Sequence, residues 1–138
     1  MAAQRFPIRL GPRSRPLLRL VFGVRDDNAW VDLDGDLDAR FGRYRLTTPV
    51  ANIASWRIEG PWLWITAIGM RTSLRQRDVT FGGNHEGGVR VDFKAPVPFA
   101  WFVGSIQIPA LYVTVADMEG LAAALQERGI PGEDARRR

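Results

Sequence analysis

The chain has 138 residues, a formal charge of +4, no cysteine and one histidine. This length fits a single domain that can bury a core without a disulfide or a metal. The absence of cysteine excludes disulfides, thiolate zinc sites and thiol nucleophiles, and one histidine cannot form an imidazole cluster.

No apolar run approaches the ~20 residues that a membrane-spanning helix needs. The N-terminus also lacks the apolar core of a secretory signal. We therefore expect a cytoplasmic protein, which can still be peripheral on the inner membrane.

Charge is distributed along the chain in blocks of opposite sign. Residues 1–25 hold six arginines and no acid, and residues 26–38 hold six aspartates and no base. Residues 40–77 hold seven arginines and one acid. The first two blocks can neutralise each other across adjacent strands.

The N-terminal part is predicted to be extended. Residues 1–16 contain three prolines, which indicate an extended N-terminal arm outside the domain. Residues 17–24 are the first predicted strand, because Leu18, Leu20 and Phe22 alternate with other residues.

A hairpin is predicted over residues 30–41, around a central Asp-Gly-Asp sequence. A two-residue turn would place apolar and acidic side chains on the same face of the sheet. An odd loop or a bulge instead pairs Leu33 with Leu37 and Val31 with Ala39. We therefore predict the odd pairing.

The middle of the chain also reads as β structure. Residues 50–59 and the strongly apolar residues 62–70 are predicted strands, and the second of these is predicted to be central. Residues 78–81 and 88–94 are predicted to pair as a hairpin, and residues 111–115 are the last predicted strand.

The chain ends in one predicted α-helix over about residues 117–128. Asp117 is a suitable N-cap, and apolar residues at i, i+3, i+4 and i+7 from Met118 onward form one buried stripe. Gly129 is predicted to end the helix. Residues 130–138 are predicted to be a charged, disordered tail.

This order of strands followed by one helix resembles the bacterial pleckstrin-homology-like (PH-like) domain family, including small actinobacterial proteins of this type. The resemblance covers residues 17–129. It implies a mainly β fold, a barrel or sandwich of about seven antiparallel strands with one C-terminal helix. The residues that carry it are Phe41 and Gly42, Asn52 and Ile53, Gly60 and Pro61, Tyr112 to Asp117, Leu121 and Leu125.

The resemblance also bears on ligand binding. PH domains that bind phosphoinositides have a basic cluster in the first hairpin loop. The corresponding residues 25–28 here are net acidic. Inositol-phosphate binding through this loop is therefore not expected.

Neither a metal site nor a catalytic centre is predicted. The alternating aspartates from Asp32 onward suggest calcium, but an EF-hand loop needs Gly at its sixth position and Glu at its twelfth. Leu37 and Arg43 occupy those positions. His85 lies in a glycine-rich loop, which is a poor place to hold a general base.

Two binding surfaces are predicted. The first is a group of arginines on one side of the barrel, which can bind an anionic lipid head or a phosphate. The second is an apolar docking edge before the last strand. The alternatives are a solvated face balanced by aspartates and a core position for the aromatic residues. The arginines are Arg43, Arg45, Arg71, Arg75 and Arg77, and the docking edge is Phe99, Trp101 and Phe102.

These features predict a non-enzymatic binding or scaffolding module without a cofactor. Its partner is expected to be a protein or an anionic membrane surface. The alternative is a barrel that binds a small apolar ligand, with Trp56, Trp62, Trp64 and Phe93 around a cavity. An enzyme ranks last. Nucleic acid is not expected, because no aromatic residues interleave with basic ones on one strand face.

Overall fold

The computed structural model describes residues 4–8, 10, 16, 18–25, 28–42, 44–59, 69–72, 79–82, 88–101 and 104–135. Within these residues the chain is mainly β with one α-helix near the C-terminus, which confirms the predicted fold class. The strands are β1 (Gln4–Pro7), β2 (Ala29–Leu33), β3 (Asp36–Phe41), β4 (Tyr44–Pro49), β5 (Ile53–Glu59), β6 (Gly69–Thr72), β7 (Val79–Gly82), β8 (Gly88–Trp101), β9 (Gly104–Val113) and β10 (Gly132–Asp134). The helix is α1 (Met118–Glu127).

The described strands form two sheets. One is a four-stranded antiparallel sheet in the order β1-β2-β3-β4, and the other has six strands in the order β10-β5-β8-β9-β7-β6. In the second sheet, β7 pairs with β9 and β10 pairs with β5 in parallel, while the remaining pairs are antiparallel. The described part of the chain therefore has ten strands, more than the seven or so that were predicted.

The pairing of β2 with β3 confirms the predicted odd loop. Leu33 pairs with Leu37 and Val31 pairs with Ala39. All four side chains are fully buried. The hydrophobic alternation fixes this register, because a slip of one residue would move the aspartates into the core.

Aromatic side chains fill the core between the two sheets. The rings of Phe41 and Phe81 stack with their centroids 5.5 Å apart. Phe99 lies 5.8 Å from Phe81 and 6.3 Å from Tyr44. Because these residues come from both sheets, their packing holds the sheets together.

Helix α1 ends as the sequence predicts at both termini. The Asp117 carboxylate accepts a hydrogen bond from the Gly120 amide at 3.0 Å. At the other end Gly129 has φ of +79°. The amide of Ile130 donates to the Leu125 carbonyl at 3.2 Å, which completes a Schellman motif. No helix among the described residues has the length and apolarity to cross a membrane.

The first predicted strand, over residues 17–24, is wrong. Leu18–Phe22 forms a π-helical turn in which Leu18 is buried and Leu20 is 85% exposed. Gly23 has φ of +67°, and the Asn28 side chain donates to its carbonyl at 2.9 Å. Both edges of β2 are already paired, one with β1 and the other with β3. Residues 18–22 therefore cannot add a strand beside β2.

The N-terminal arm is also corrected. Residues 4–7 are extended as predicted, but they form β1 and pair with β2, so they belong to the domain. Phe6 and Ile8 are buried in the core. Pro7 is tolerated because β1 is an edge strand, where one missing amide donor costs little.

Two further predictions on strand pairing are corrected. Residues 132–134 are not a disordered tail but form β10 beside β5, while residues 136–138 lie outside the described residues. The predicted hairpin of β7 with β8 does not form, because β9 lies between them. Of the predicted central strand, residues 62–68 lie outside the described residues, and residues 69 and 70 begin β6.

Candidate docking face on the four-stranded sheet

The face of the four-stranded sheet that points away from the core carries a group of polar residues and one tryptophan. Its inward positions are buried, as the alternating burial of β2 and β4 shows. The outward positions stand opposite each other across the strands, because Arg5 pairs with Asp32 and Asp32 pairs with Asp38. We call this surface the Trp30 face, and it consists of Arg5, Trp30, Asp32, Asp38 and Arg45.

The first ion pair of the Trp30 face joins β1 to β2. Arg5 donates from Nε to Asp32 Oδ1 at 2.7 Å and from Nη2 to Oδ2 at 2.9 Å. Two parallel bonds fix the plane of a guanidinium as well as its position. The pair links the first arginine block to the aspartate block, as the charge distribution suggests.

The second ion pair joins β3 to β4. Arg45 donates from Nε to Asp38 Oδ1 at 2.8 Å and from Nη2 to Oδ2 at 2.5 Å. The Thr47 hydroxyl also donates to Asp38 Oδ1, at 3.1 Å. The hydrogen bond from Arg45 is the main cause that holds the pKa of Asp38 below its usual range, and Thr47 adds to it.

Trp30 lies between the two ion pairs and contacts both guanidiniums. The Cζ atom of Arg5 lies 4.4 Å from the centroid of the Trp30 ring, and that of Arg45 lies 5.8 Å from it. Both distances fall within the range of cation–π attraction. The five residues of the Trp30 face therefore form one connected group on a rigid sheet.

The guanidiniums are the outermost groups of the Trp30 face. The side chains of Arg5 and Arg45 are each 58% exposed, whereas those of Asp32 and Asp38 are 31% and 19% exposed. A partner would therefore meet the guanidinium N–H groups first, with the carboxylates less exposed and the Trp30 ring partly buried. This arrangement orients hydrogen-bond donors without leaving an isolated buried charge.

The six-stranded sheet carries a second polar region, an open depression of about 390 Å³. Ser55, Arg57, Asp92 and Glu133 are among its lining residues. Asp92 accepts hydrogen bonds from Ser55 at 3.3 Å and from Arg90 at 3.1 Å. Among the described residues, no group of three or more histidine or acidic side chains is placed to hold a metal.

The predicted arginine group is only partly described. Arg45 lies on the Trp30 face, where Asp38 neutralises its charge. Arg71 lies in β6 of the other sheet, at the register position opposite Thr80. Arg43, Arg75 and Arg77 lie outside the described residues, so a single anion-binding patch stays a prediction.

The predicted docking edge is corrected at its first residue. Phe99 is 1% exposed and packs between Tyr44 and Phe81, so it belongs to the core. Trp101 is the last residue of β8 and pairs with Gly104. Its side chain is not among those that the structure describes. Phe102 also lies outside the described residues.

The apolar-ligand alternative finds no support at Trp56. The Trp56 ring is buried against the C-terminal part of the chain, and its Nε1 donates to the Ile130 carbonyl at 3.0 Å. Phe93 is buried in the core cluster. Trp62 and Trp64 lie outside the described residues.

Part of the signal for the Trp30 face is present in the sequence, although neither predicted binding surface corresponds to it. The odd hairpin register puts Trp30, Asp32 and Asp38 on one face, opposite the buried residues. Arg5 lies within residues 1–16, which the sequence predicts to be an arm outside the sheet, so its place on this face is not predicted. An aromatic side chain can thus lie between basic side chains of neighbouring strands, although no single strand has this pattern in its sequence.

Comparisons with protein-family models, with curated proteins and with solved structures found no match for this chain.

Proposed function

We propose that this chain is a non-enzymatic binding module of the PH-like kind that docks a protein partner through the Trp30 face. The observation that carries the proposal is the contact of Trp30 with two guanidiniums, each held by a bidentate ion pair. The proposal is supported by the position of this group on a regular sheet whose other face is packed into the core.

The residue types of the Trp30 face are those that carry protein binding energy. Tryptophan and arginine are enriched among the few interface residues whose truncation costs the most affinity. Side chains already fixed before binding also lose less conformational entropy when the complex forms. Asp32 and Asp38 provide this order for Arg5 and Arg45.

The charges of the Trp30 face favour a protein over an anionic membrane surface. Each of the two guanidiniums is paired with a carboxylate, so the four groups together are neutral. The carboxylates behind the guanidiniums cancel the net charge that would attract an anionic lipid layer. A protein surface can instead place carboxylates or main-chain carbonyls on the guanidinium N–H groups and an apolar group on Trp30.

The test is a capture experiment with Trp30→Ala in the full chain. Partners are cross-linked and captured from the native host by the unmodified chain, and their amounts are compared by quantitative mass spectrometry. Loss of a central interface tryptophan is expected to weaken capture of a specific partner roughly thirtyfold, as 2 kcal/mol implies. The melting temperature of the variant is measured as well, because Trp30 is partly buried and its loss should lower stability.

Gln107→Ala is the matched control, since Gln107 is exposed in β9 of the other sheet. Capture of the same partner should survive this change. Equal capture by the Trp30→Ala variant would contradict the proposal. So would salt-sensitive sedimentation with anionic vesicles that Trp30→Ala abolishes, because the surface would then bind lipid.

A further inference from the structure

After Gly129 the chain turns and runs parallel to β5, so that residues 130–135 cover one edge of the six-stranded sheet. We call residues 130–135 the C-terminal segment. The Trp56 amide donates to the Pro131 carbonyl at 3.0 Å, and the Ala135 amide donates to the Ile58 carbonyl at 2.8 Å. The Trp56 indole Nε1 donates to the Ile130 carbonyl at 3.0 Å.

After the buried Ile130, the C-terminal segment is held mainly through its backbone. Residues 131–135 are all exposed, and Ile130 is buried. Main-chain hydrogen bonds of this kind are open to many sequences, because they do not depend on side chains. Another extended segment could therefore form the same bonds with β5.

One position of the C-terminal segment is selective. Gly132 pairs with Trp56, and a Cβ atom added to Gly132 would overlap the Trp56 indole. The Trp56 ring is buried, and its Nε1 donates to the Ile130 carbonyl of the C-terminal segment itself. An occupant that accepts the same bond would hold the ring against the residue opposite Trp56. A segment on β5 in this register therefore needs glycine opposite Trp56.

The boundary between β5 and the C-terminal segment is open to solvent. The depression of about 390 Å³ lies along it, with Ser55 and Arg57 on one side and Gly132 and Glu133 on the other. The C-terminal segment thus covers the edge without sealing it. A covered edge of this kind is a common protection against unwanted strand pairing.

We propose that the β5 edge is a binding site for an extended segment of a partner protein, which runs parallel to β5 with glycine opposite Trp56. In the free chain the C-terminal segment occupies this site in cis. The chain's own sequence shows what fits, because it supplies glycine at the one position where a side chain would collide. This site lies on the six-stranded sheet and is separate from the Trp30 face.

The test displaces the C-terminal segment in the full chain with Gly132→Val. The probe is a synthetic peptide with the sequence of residues 129–135, titrated while the amide and indole N–H resonances of Trp56 are followed by NMR. Both N–H groups donate to the C-terminal segment, so they report its departure and its replacement. A segment held in cis competes at an effective concentration in the millimolar range.

The Gly132→Val variant should therefore bind the peptide at least about tenfold more tightly than the unmodified chain. Gly35→Val is the matched control, because a Cβ atom there meets nothing within 4 Å. This control should bind the peptide as weakly as the unmodified chain. A second peptide that carries Gly132→Val should not bind either protein.

Ala135→Pro gives a second way to loosen the segment, since it removes the amide that donates to Ile58. Absence of peptide binding by both folded variants would overturn the proposal and leave the C-terminal segment as a purely structural strand. A concentration-dependent dimer of the unmodified chain that exchanges its C-terminal segments would also overturn it, because the occupant would be a second copy. Trp30→Ala should leave peptide binding unchanged, so this test is independent of the Trp30 face.

Discussion

At the scale of single residues, Asp38 links the charges of the Trp30 face to stability. Hydrogen bonds from Arg45 and Thr47 hold the pKa of Asp38 below its usual range in the folded chain. A lower pKa in the folded state means that unfolding takes up a proton at acid pH. The stability that Asp38 contributes is therefore fully present above about pH 4, its unfolded-state value, and is lost as the pH falls through the folded-state pKa.

The lowered pKa of Asp38 predicts the behaviour of Asp38→Asn. The substitution should lower the free energy of unfolding at pH 7, and the difference from the unmodified chain should shrink as the pH falls below about 4. Urea unfolding at a series of pH values measures this difference in the free energy of unfolding. Asp34→Asn, in the exposed turn of the same hairpin, is the matched control. A difference that stays constant or grows towards acid pH would contradict the prediction.

Single residues also show why the candidate site was only partly predictable. The alternation around Trp30 and Asp38 is local, so the shared face follows from the hairpin register. Arg5 is distant in sequence, and its pairing with Asp32 depends on which strand lies beside β2. The position of Phe99 also depends on distant residues. The prolines around it suggested a surface edge, but Phe99 packs against Tyr44 of the other sheet.

Among the elements, the N-terminus of α1 couples the effects of Asp117 and Gly120 on stability, which helix propensities would treat as independent. Replacing glycine by alanine within a helix normally stabilises it by about 1 kcal/mol. At Gly120 the added methyl would overlap the Asp117 carboxylate, which caps the helix through the Gly120 amide. The gain in propensity should then be offset by loss of the cap, which contributes about 1 kcal/mol.

We therefore expect Gly120→Ala to leave stability unchanged or lower it. In an Asp117→Ala background, where no cap remains, the same change should raise the free energy of unfolding by about 1 kcal/mol. A double-mutant cycle measured by urea unfolding gives the coupling between the two residues. Equal gains from Gly120→Ala in both backgrounds would show that the methyl is accommodated beside the carboxylate.

Elements differ in how much of their structure the sequence determines. The bounds of α1 follow from Asp117 and Gly129, because caps act on neighbouring backbone groups. The pairing of β7 does not follow, since β7 and β9 are parallel and separated by some thirty residues. The local glycine-rich loop suggested a hairpin, but the long strand β8 pairs with β5 and β9 instead.

For the domain as a unit, Pro7 and Ile8 connect the four-stranded sheet to the segment that follows β9. The Ile8 amide donates to the Ala29 carbonyl at 3.0 Å. Ile8 also forms an antiparallel β-bridge with Val115, two residues after the end of β9. The Ala116 amide donates to the Pro7 carbonyl at 2.9 Å. The first residues thus join the four-stranded sheet to the segment that leads into α1, and Ile8 is buried in the common core.

Ile8→Ala should therefore destabilise the entire domain, not only its N-terminus. Removing a buried isoleucine typically costs 2–5 kcal/mol, roughly, which is a large part of the stability of a domain of this size. Pro7→Ala is the matched control, because Pro7 is exposed at the neighbouring position and should change stability by less than about 0.5 kcal/mol. If residues 1–16 formed a separate arm, both changes would be small. Amide hydrogen exchange distinguishes the two cases. Ile8→Ala should raise the exchange rates of the amides in β3 and in α1 together. A rise confined to the first residues would contradict the coupling.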